Sequence, residues 1–112
     1  MVSGNQIVNE ALKYRGVPYK EKGESPSGFD SSGFVKYVYG RFGISLPHYT
    51  GDLLNRGSPV TRNNLQPGDL VFPAKGHVGI FVGNDQFIHA PRPGKNVQVV
   101  NIYSFYAGRR IL

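Results

Sequence analysis

The chain has 112 residues, a net charge of +6 and no cysteine, so the length suits one compact domain, 1–112, without room for a second. The missing cysteines exclude a disulfide framework, iron–sulfur clusters and thiolate zinc sites. No apolar run approaches the roughly 20 residues of a membrane span, and we read no signal peptide at the N-terminus. The basic residues are scattered, so we expect no nucleic-acid partner.

The first half of the chain has helical periodicity. Ser3 and Gln6 have capping-box spacing ahead of an apolar stripe that ends at Gly16. Residues 16–29 are rich in Gly, Pro and Ser and predict a loop. Asp30 is a good N-cap for a second helix that ends at Gly43. Thr50 is expected to cap a short third helix.

The second half changes to the period of strands. A Pro-Gly turn at Pro67–Gly68 precedes four predicted strands, which are 69–72, 77–82, 86–90 and 97–102. Residues 83–85 predict a hairpin turn, and 103–107 one helical turn. Helices followed by a strand meander predict an α+β domain with its helices packed on an antiparallel sheet.

Small polar residues at the start of the second helix are the first candidate site. Backbone N–H groups at a helix N-terminus are unpaired, which favours an anionic nucleophile or an oxyanion. Asp30, Ser31 and Ser32 have the right residue types at that point. The local pattern alone favours the simpler explanation, in which Asp30 caps the helix and Ser31 and Ser32 are ordinary first-turn residues.

Two histidines on neighbouring predicted strands are the second candidate. A base that is oriented by a second polar group is the usual device for activating a nucleophile. A two-residue turn at 84–85 puts His89 opposite Ile80, on the wrong face for His77. A longer turn or a bulge near Gly83 puts His89 opposite Phe81 and on the face of His77. Two separate structural histidines remain the alternative.

The third histidine, His48, follows Leu46-Pro47 in an extended segment and is interpreted as a loop residue lining a cleft. The three histidines lack the spacing of a zinc site, and no cofactor motif is present.

In combination, these segments resemble the NlpC-type family of papain-like cell-wall cysteine peptidases over about residues 5–110. The match runs through segments in the family's order, namely 16–19, 29–35, 46–50, 65–72, 76–83 and 87–90. The resemblance implies a papain-like fold. It also implies an extracellular or wall-associated monomer without a cofactor, which cleaves peptidoglycan stem peptides, most often between D-glutamate and a diamino acid.

The resemblance also implies residue roles. Ser31 falls at the nucleophile, His77 at the base, and His89 at the group that orients the base. Tyr19, Asp30 and Ser32 match residues near the substrate, and we add His48 to this group for its place beside the cleft. The expected substrate-binding set is therefore Tyr19, Asp30, Ser32 and His48.

Position 31 departs from the family pattern, which has cysteine there. A hydroxyl is not ionised as a thiol is, and a site shaped for sulfur holds oxygen at the wrong distance. We therefore expect the chain to be inactive or nearly so. Three explanations stay open: a deliberate replacement of cysteine, a natural pseudoenzyme that binds muropeptides, and a true serine hydrolase.

Overall fold

The computed structural model describes residues 1–112. It contains three α-helices, α1 (Gly4–Leu12), α2 (Ser31–Gly40) and α3 (Thr50–Leu53), and one 3-10 turn at Arg62–Asn64. Its strands are β1 (Glu24–Ser25), β2 (Gly28–Phe29), β3 (Ser58–Pro59), β4 (Leu70–Ala74), β5 (His77–Gly83), β6 (Gln86–His89), β7 (Gln98–Asn101) and β8 (Ala107–Arg110). None of the helices has the length and apolar character needed to cross a bilayer.

Local capping determines where the first two helices begin. The predicted capping box is confirmed, because Ser3 Oγ accepts from the Gln6 N–H at 3.2 Å and Gln6 Oε1 accepts from the Ser3 N–H at 2.8 Å. Asp30 caps α2 as predicted. The prediction for Thr50 is wrong: Tyr49 is the N-cap of α3, and Thr50 is its first helical residue. The Thr50 side chain is buried instead of bonding the helix end.

Six strands form one antiparallel sheet in the order β3-β8-β4-β5-β6-β7. The four predicted strands are confirmed as β4 to β7, with ends shifted by one or two residues. The predicted helical turn at 103–107 is wrong, since β8 begins at Ala107 and pairs with both β3 and β4. The Tyr106 N–H donates to the Phe72 carbonyl at 2.7 Å, which directs this segment onto the sheet edge.

Alternating strand residues build a core on each face of the sheet. The larger core joins α1 and α2 to one face through Ile7, Ala11, Phe34, Val35, Val38, Leu70, Phe72, Val78, Ile80 and Ile88, among others. A smaller cluster on the opposite face contains Val71, Phe81, Phe87 and Ile102. The predicted α+β class, with helices packed on an antiparallel meander, is confirmed.

Candidate functional site

Ser31 is the first residue of α2 and lies at the helix N-terminus predicted for the nucleophile. Its exposed fraction is 9%, so the hydroxyl is nearly buried. Asp30 Oδ1 accepts the Gly33 N–H at 2.7 Å. The N–H groups before Gly33 lack intrahelical partners and present a positive end of the helix dipole beside the Ser31 side chain.

Gly33 allows the loop before α2 to pass close to the helix. A Cβ at Gly33 would lie 1.9 Å from the Gly23 carbonyl oxygen and 2.8 Å from Asp30 Oδ1. The first atom belongs to the backbone and the second caps α2, so displacing either would cost stability. The tight approach holds the first turn of α2 against the loop that carries Gly23.

Gly33→Ala is expected to destabilise the fold by about 1–3 kcal/mol or more, as overpacking of a filled site does. The matched control is Gly40→Ala in the same helix, where a Cβ meets nothing within 4 Å. The control should leave stability unchanged or raise it by up to about 1 kcal/mol, because Gly40 is the last residue of the helix and the full propensity gain applies to helix interiors. Urea unfolding of the two variants checks the pair, and equal stabilities would contradict the packing argument.

Asp30 organises a polar cluster that contains two of the predicted substrate residues. His48 Nε2 lies 2.8 Å from Asp30 Oδ1, and Ser32 Oγ lies 3.5 Å from the same oxygen. Together with the Gly33 N–H, these contacts all fall on Oδ1. Asp30 Oδ2 makes no hydrogen bond within the protein and is left available to a ligand.

Sequence reasoning missed two members of this cluster, Glu24 and Lys36. His48 Nδ1 lies 2.5 Å from Glu24 Oε2, and Lys36 Nζ lies 3.0 Å from Glu24 Oε1. The imidazole of His48 is therefore held between the carboxylates of Glu24 and Asp30. Nothing in the sequence indicated this, because Glu24 belongs to a two-residue strand inside a loop of turn-forming residues.

Tyr19 lies on the edge of the same loop, where its backbone bridges Phe29 and its N–H donates to the Lys95 carbonyl at 2.9 Å. Burial raises the pKa of the Tyr19 hydroxyl, and the charges of Asp30 and Glu21 raise it further. The hydroxyl therefore stays protonated at neutral pH and can donate a hydrogen bond near Asp30.

The two predicted strand histidines are brought together. His77 Nε2 lies 2.7 Å from His89 Nδ1, with the rings nearly edge to face. His77 is the first residue of β5, and His89 the last of β6. The His89 ring also packs on Phe87, so the pair belongs to the face of the smaller core. No hydrogen bond joins Ser31 to either histidine.

A bulge sets the register that pairs the histidines. The turn has two residues, Asn84 and Asp85, both with positive φ, and the register shifts between Phe81 and Gly83. The predicted bulge is therefore confirmed, and Gly83 adopts φ +106°. The predicted partner of His89 is wrong: Phe81 pairs with Phe87, and this register continues to place His89 opposite Gly79.

Burial keeps both histidines neutral. It lowers the pKa of His77, and it lowers that of His89 to about 4, with the neighbouring His77 adding to the effect. In a neutral pair, one nitrogen of the 2.7 Å contact donates and the other accepts. If His77 Nε2 donates, His77 Nδ1 is free to accept a proton from a nucleophile.

The histidine pair is expected to make stability depend on pH. Each folded pKa lies below the ordinary value of about 6.5, so the unfolded chain binds more protons and stability falls as pH drops below that value. For His89 the loss between pH 7 and 5 is about 1–2 kcal/mol. Urea unfolding of the chain and of His89→Gln checks this, because the variant should lose less stability over that interval. Parallel curves for the two proteins would contradict it.

A pocket of about 500 Å³ opens beside the histidine pair. Sequence reasoning did not find its other polar residues, Arg92, Gln98 and Tyr103, which lie outside the recognised motifs. Their position beside His77 and His89 offers room for part of a substrate. No group of three or more His, Asp or Glu side chains is arranged to hold a metal ion.

The model of the NlpC/P60 family matches residues 16–112 of this sequence. The chain belongs to the NlpC/P60 family. This match covers both histidines, the α2 N-terminus and the Asp30 cluster, so the whole candidate site falls within the family domain. Position 31 carries serine in this NlpC/P60 chain.

Curated relatives support the assignment to the NlpC/P60 family. The chain is 43% identical over 106 residues to Protein P54 of Enterococcus faecium, covering 90% of the chain and 20% of that protein. It is 46% identical over 90 residues to the gamma-DL-glutamyl hydrolase of Bacillus subtilis, covering 76% of the chain and 22% of the hydrolase. The chain thus spans about a fifth of the length of these two relatives.

Solved NlpC/P60 structures have the same fold. The NlpC/p60 domain of the peptidoglycan hydrolase SagA superposes with a TM-score of 0.92 at 37% identity, over 97% of this chain and 99% of that one. An NlpC/P60 protein from Bacillus cereus superposes with a TM-score of 0.93 at 31% identity, over 99% of this chain and 41% of that one.

Proposed function

We propose that this NlpC/P60 chain binds the peptide stems of peptidoglycan in the site of a cysteine-type endopeptidase, which acts on the bond between D-glutamate and the diamino acid. Ser31 at the nucleophile position leaves the chain inactive or nearly so. The names of its relatives support this substrate class, since they include a gamma-DL-glutamyl hydrolase, endopeptidase p60 and the peptidoglycan hydrolase SagA.

The hydrogen-bonded pair of His77 and His89 is the observation that carries the catalytic proposal. His77 is the general base, and its Nδ1 accepts the proton of the group at position 31. That group attacks the scissile carbonyl, and His77 returns the proton to the leaving amine as the acyl-enzyme forms. Water then attacks the acyl group, again with His77 as base, and releases the acid product and the free enzyme.

His89 orients the base and stays neutral. When His77 takes a proton, its Nε2–H donates to His89 Nδ1, which stabilises the imidazolium form. The lowered pKa of His89 keeps that nitrogen available as an acceptor. The unpaired N–H groups at the start of α2 can receive the developing oxyanion.

Asp30, Ser32, Tyr19 and His48 form the proposed substrate-binding set. Asp30 Oδ2 has no partner within the protein and suits a cationic group such as a free stem amine. Gly33 and His48 hold Oδ1, and so fix the direction of Oδ2. The protonated Tyr19 hydroxyl adds a donor close to this carboxylate.

The surface charge fits a wall-associated location. Cell walls are polyanionic, and a net charge of +6 concentrates the chain on such a surface. We propose that the domain acts outside the cytoplasm as a monomer, needs no cofactor for this chemistry and does not take nucleic acid as a partner.

A muropeptide-binding protein without catalysis is the second candidate, and Ser31 is the observation that favours it. Both candidates predict binding of stem peptides, so binding alone does not separate them. They differ in whether a thiol at position 31 restores cleavage.

The test incubates purified tripeptide and tetrapeptide stems with the chain and with Ser31→Cys, and reads the products by mass spectrometry. Cleavage by the thiol variant alone supports the endopeptidase, and the product masses identify the bond. Binding by both proteins without cleavage supports the second candidate. Calorimetry measures the binding, and sedimentation with isolated walls at low and high salt tests the electrostatic attraction. Absence of binding would overturn both candidates.

A further inference from the structure

A second pocket lies between α3 and β8, and neither histidine of the pair lines it. Its charged lining residues are basic. It has a volume of about 630 Å³, and Asn55, Lys75, Tyr106 and Arg109 are among the residues that line it. Lys75 comes from the turn between β4 and β5, and Asn55 follows the end of α3. Three separate parts of the chain therefore contribute polar groups to one cavity.

The two cations of this pocket have no acidic partner. Neither Lys75 nor Arg109 forms an ion pair, and no Asp or Glu lines the pocket. Elsewhere on the sheet the pattern differs: Arg110, the next residue in β8, is held by Asp69 at 2.9 Å. The pocket thus keeps two positive charges that the fold does not neutralise.

Arg109 also carries an unsatisfied donor. Its Nε is buried and has no hydrogen-bond partner, and it is the only buried side-chain nitrogen or oxygen in the chain with this property. A buried N–H without a partner costs free energy, so such a group calls for an acceptor. The guanidinium fork matches the paired oxygens of a carboxylate or a phosphate.

We propose that this pocket is a binding site for an anionic oxygen group, a carboxylate or a phosphate, held between Arg109 and Lys75. The Arg109 guanidinium provides directed N–H donors and Lys75 a mobile charge, while Asn55 and Tyr106 can add neutral hydrogen bonds. Arg109 lines the pocket, and its Nη groups make no hydrogen bond and are not buried, so they are the donors that an anion held there can reach.

Two segments of the chain contribute to both the pocket and the proposed peptidase site, although no residue lines both this pocket and the one beside the histidine pair. Lys75 precedes His77 by two residues, and Gly51, also in the lining, follows His48 by three. One source of the anion is a carboxylate of a stem peptide bound in the peptidase site, and this assignment rests on the proposed function. The phosphate of an anionic wall polymer is the other source, and it does not depend on cleavage.

The first experiment titrates the folded chain with inorganic phosphate and with acetate, followed by ¹H–¹⁵N NMR that includes the arginine Nε–H signals. We expect saturable shifts at Arg109 Nε–H and at the Tyr106 amide. Lys75→Gln and Arg109→Gln should each weaken binding about tenfold, as loss of a charge-assisted hydrogen bond does. Arg109→Lys keeps the charge without the fork and should recover only part of the affinity.

The control is Lys22→Gln, which removes the same charge from an exposed turn away from the pocket. Its affinity should equal that of the unchanged chain. Shifts that never saturate, or an equal loss of affinity in Lys22→Gln, would overturn the proposal. Lys75 is itself an exposed turn residue, so Lys75→Gln gives an answer even if Arg109→Gln unfolds.

A second experiment identifies the source with three probes: a stem tripeptide, its C-terminal amide and glycerol 3-phosphate. Weaker binding of the amide, removed by Lys75→Gln, supports the peptide carboxylate. Binding of glycerol phosphate without any binding of the tripeptide supports the anion site while the proposed function fails. If no probe contacts the pocket, the site is not an anion site, whatever the outcome of the cleavage assay.

Discussion

Replacing Ser31 with cysteine is expected to raise kcat/KM on stem tripeptides by about 10³-fold or more. A misplacement of the attacking atom by about 1 Å can cost about 100-fold in rate, and the serine oxygen sits in a site shaped for sulfur. The thiol is also the better nucleophile. The helix N-terminus and a histidine stabilise a thiolate, whereas they cannot ionise a hydroxyl in the same way. Product formation by mass spectrometry at several substrate concentrations measures the change.

Ser32→Cys is the matched control for this gain, since it places the same thiol one residue further along α2. Ser32 Oγ points to Asp30 and to the His48 carbonyl, so a thiol there should bring no cleavage. Efficient cleavage by the unchanged chain would show that the argument about hydroxyl activation is wrong for this site. A Ser31→Cys protein that binds the peptide and stays inactive would favour the muropeptide-binding protein.

Local signals in the sequence predicted the parts of the fold that depend on neighbouring residues. The capping box at Ser3, the Asp30 cap and the four meander strands all follow from short-range rules, and the structure confirms them. The bulge at Gly83 could also be predicted, because His77 and His89 share a face of the sheet only if the strand register shifts by one residue. The expectation that His77 and His89 act together thus predicted a feature of the backbone, namely the bulge.

Local sequence rules did not predict the features that depend on residues far apart in the chain. The strand β8 has no alternating pattern of its own and exists because β3 and β4 offer it two edges. The contact between Glu24 and His48 joins two loops 24 residues apart in sequence. The adjacent residues Arg109 and Arg110 look alike in the sequence. The sequence therefore does not predict that the Arg109 Nε is buried without a partner, or that no acidic residue lies beside it.

Removal of the base is expected to be the largest single loss once a thiol is present. In a Ser31→Cys background, His77→Ala should lower kcat/KM by about 10²–10⁴-fold, the usual contribution of a general base. Alkylation by iodoacetamide provides a second readout that needs no substrate. Loss of the imidazolium partner should move the pH midpoint of alkylation up towards the ordinary thiol pKa of about 8.5.

His89→Ala in the same background separates orientation from base catalysis. His89 contacts His77 through Nδ1 and acts through that ring, so its loss should cost less, about 10–100-fold, as misorientation of a catalytic group does. His89→Gln restores an acceptor for the His77 Nε2–H and should recover part of the rate. The alkylation midpoint should move less than in His77→Ala, because the imidazolium still forms. If His89→Ala and His77→Ala gave equal losses and equal midpoints, the two histidines would act as one unit and the division of roles proposed for them would be wrong.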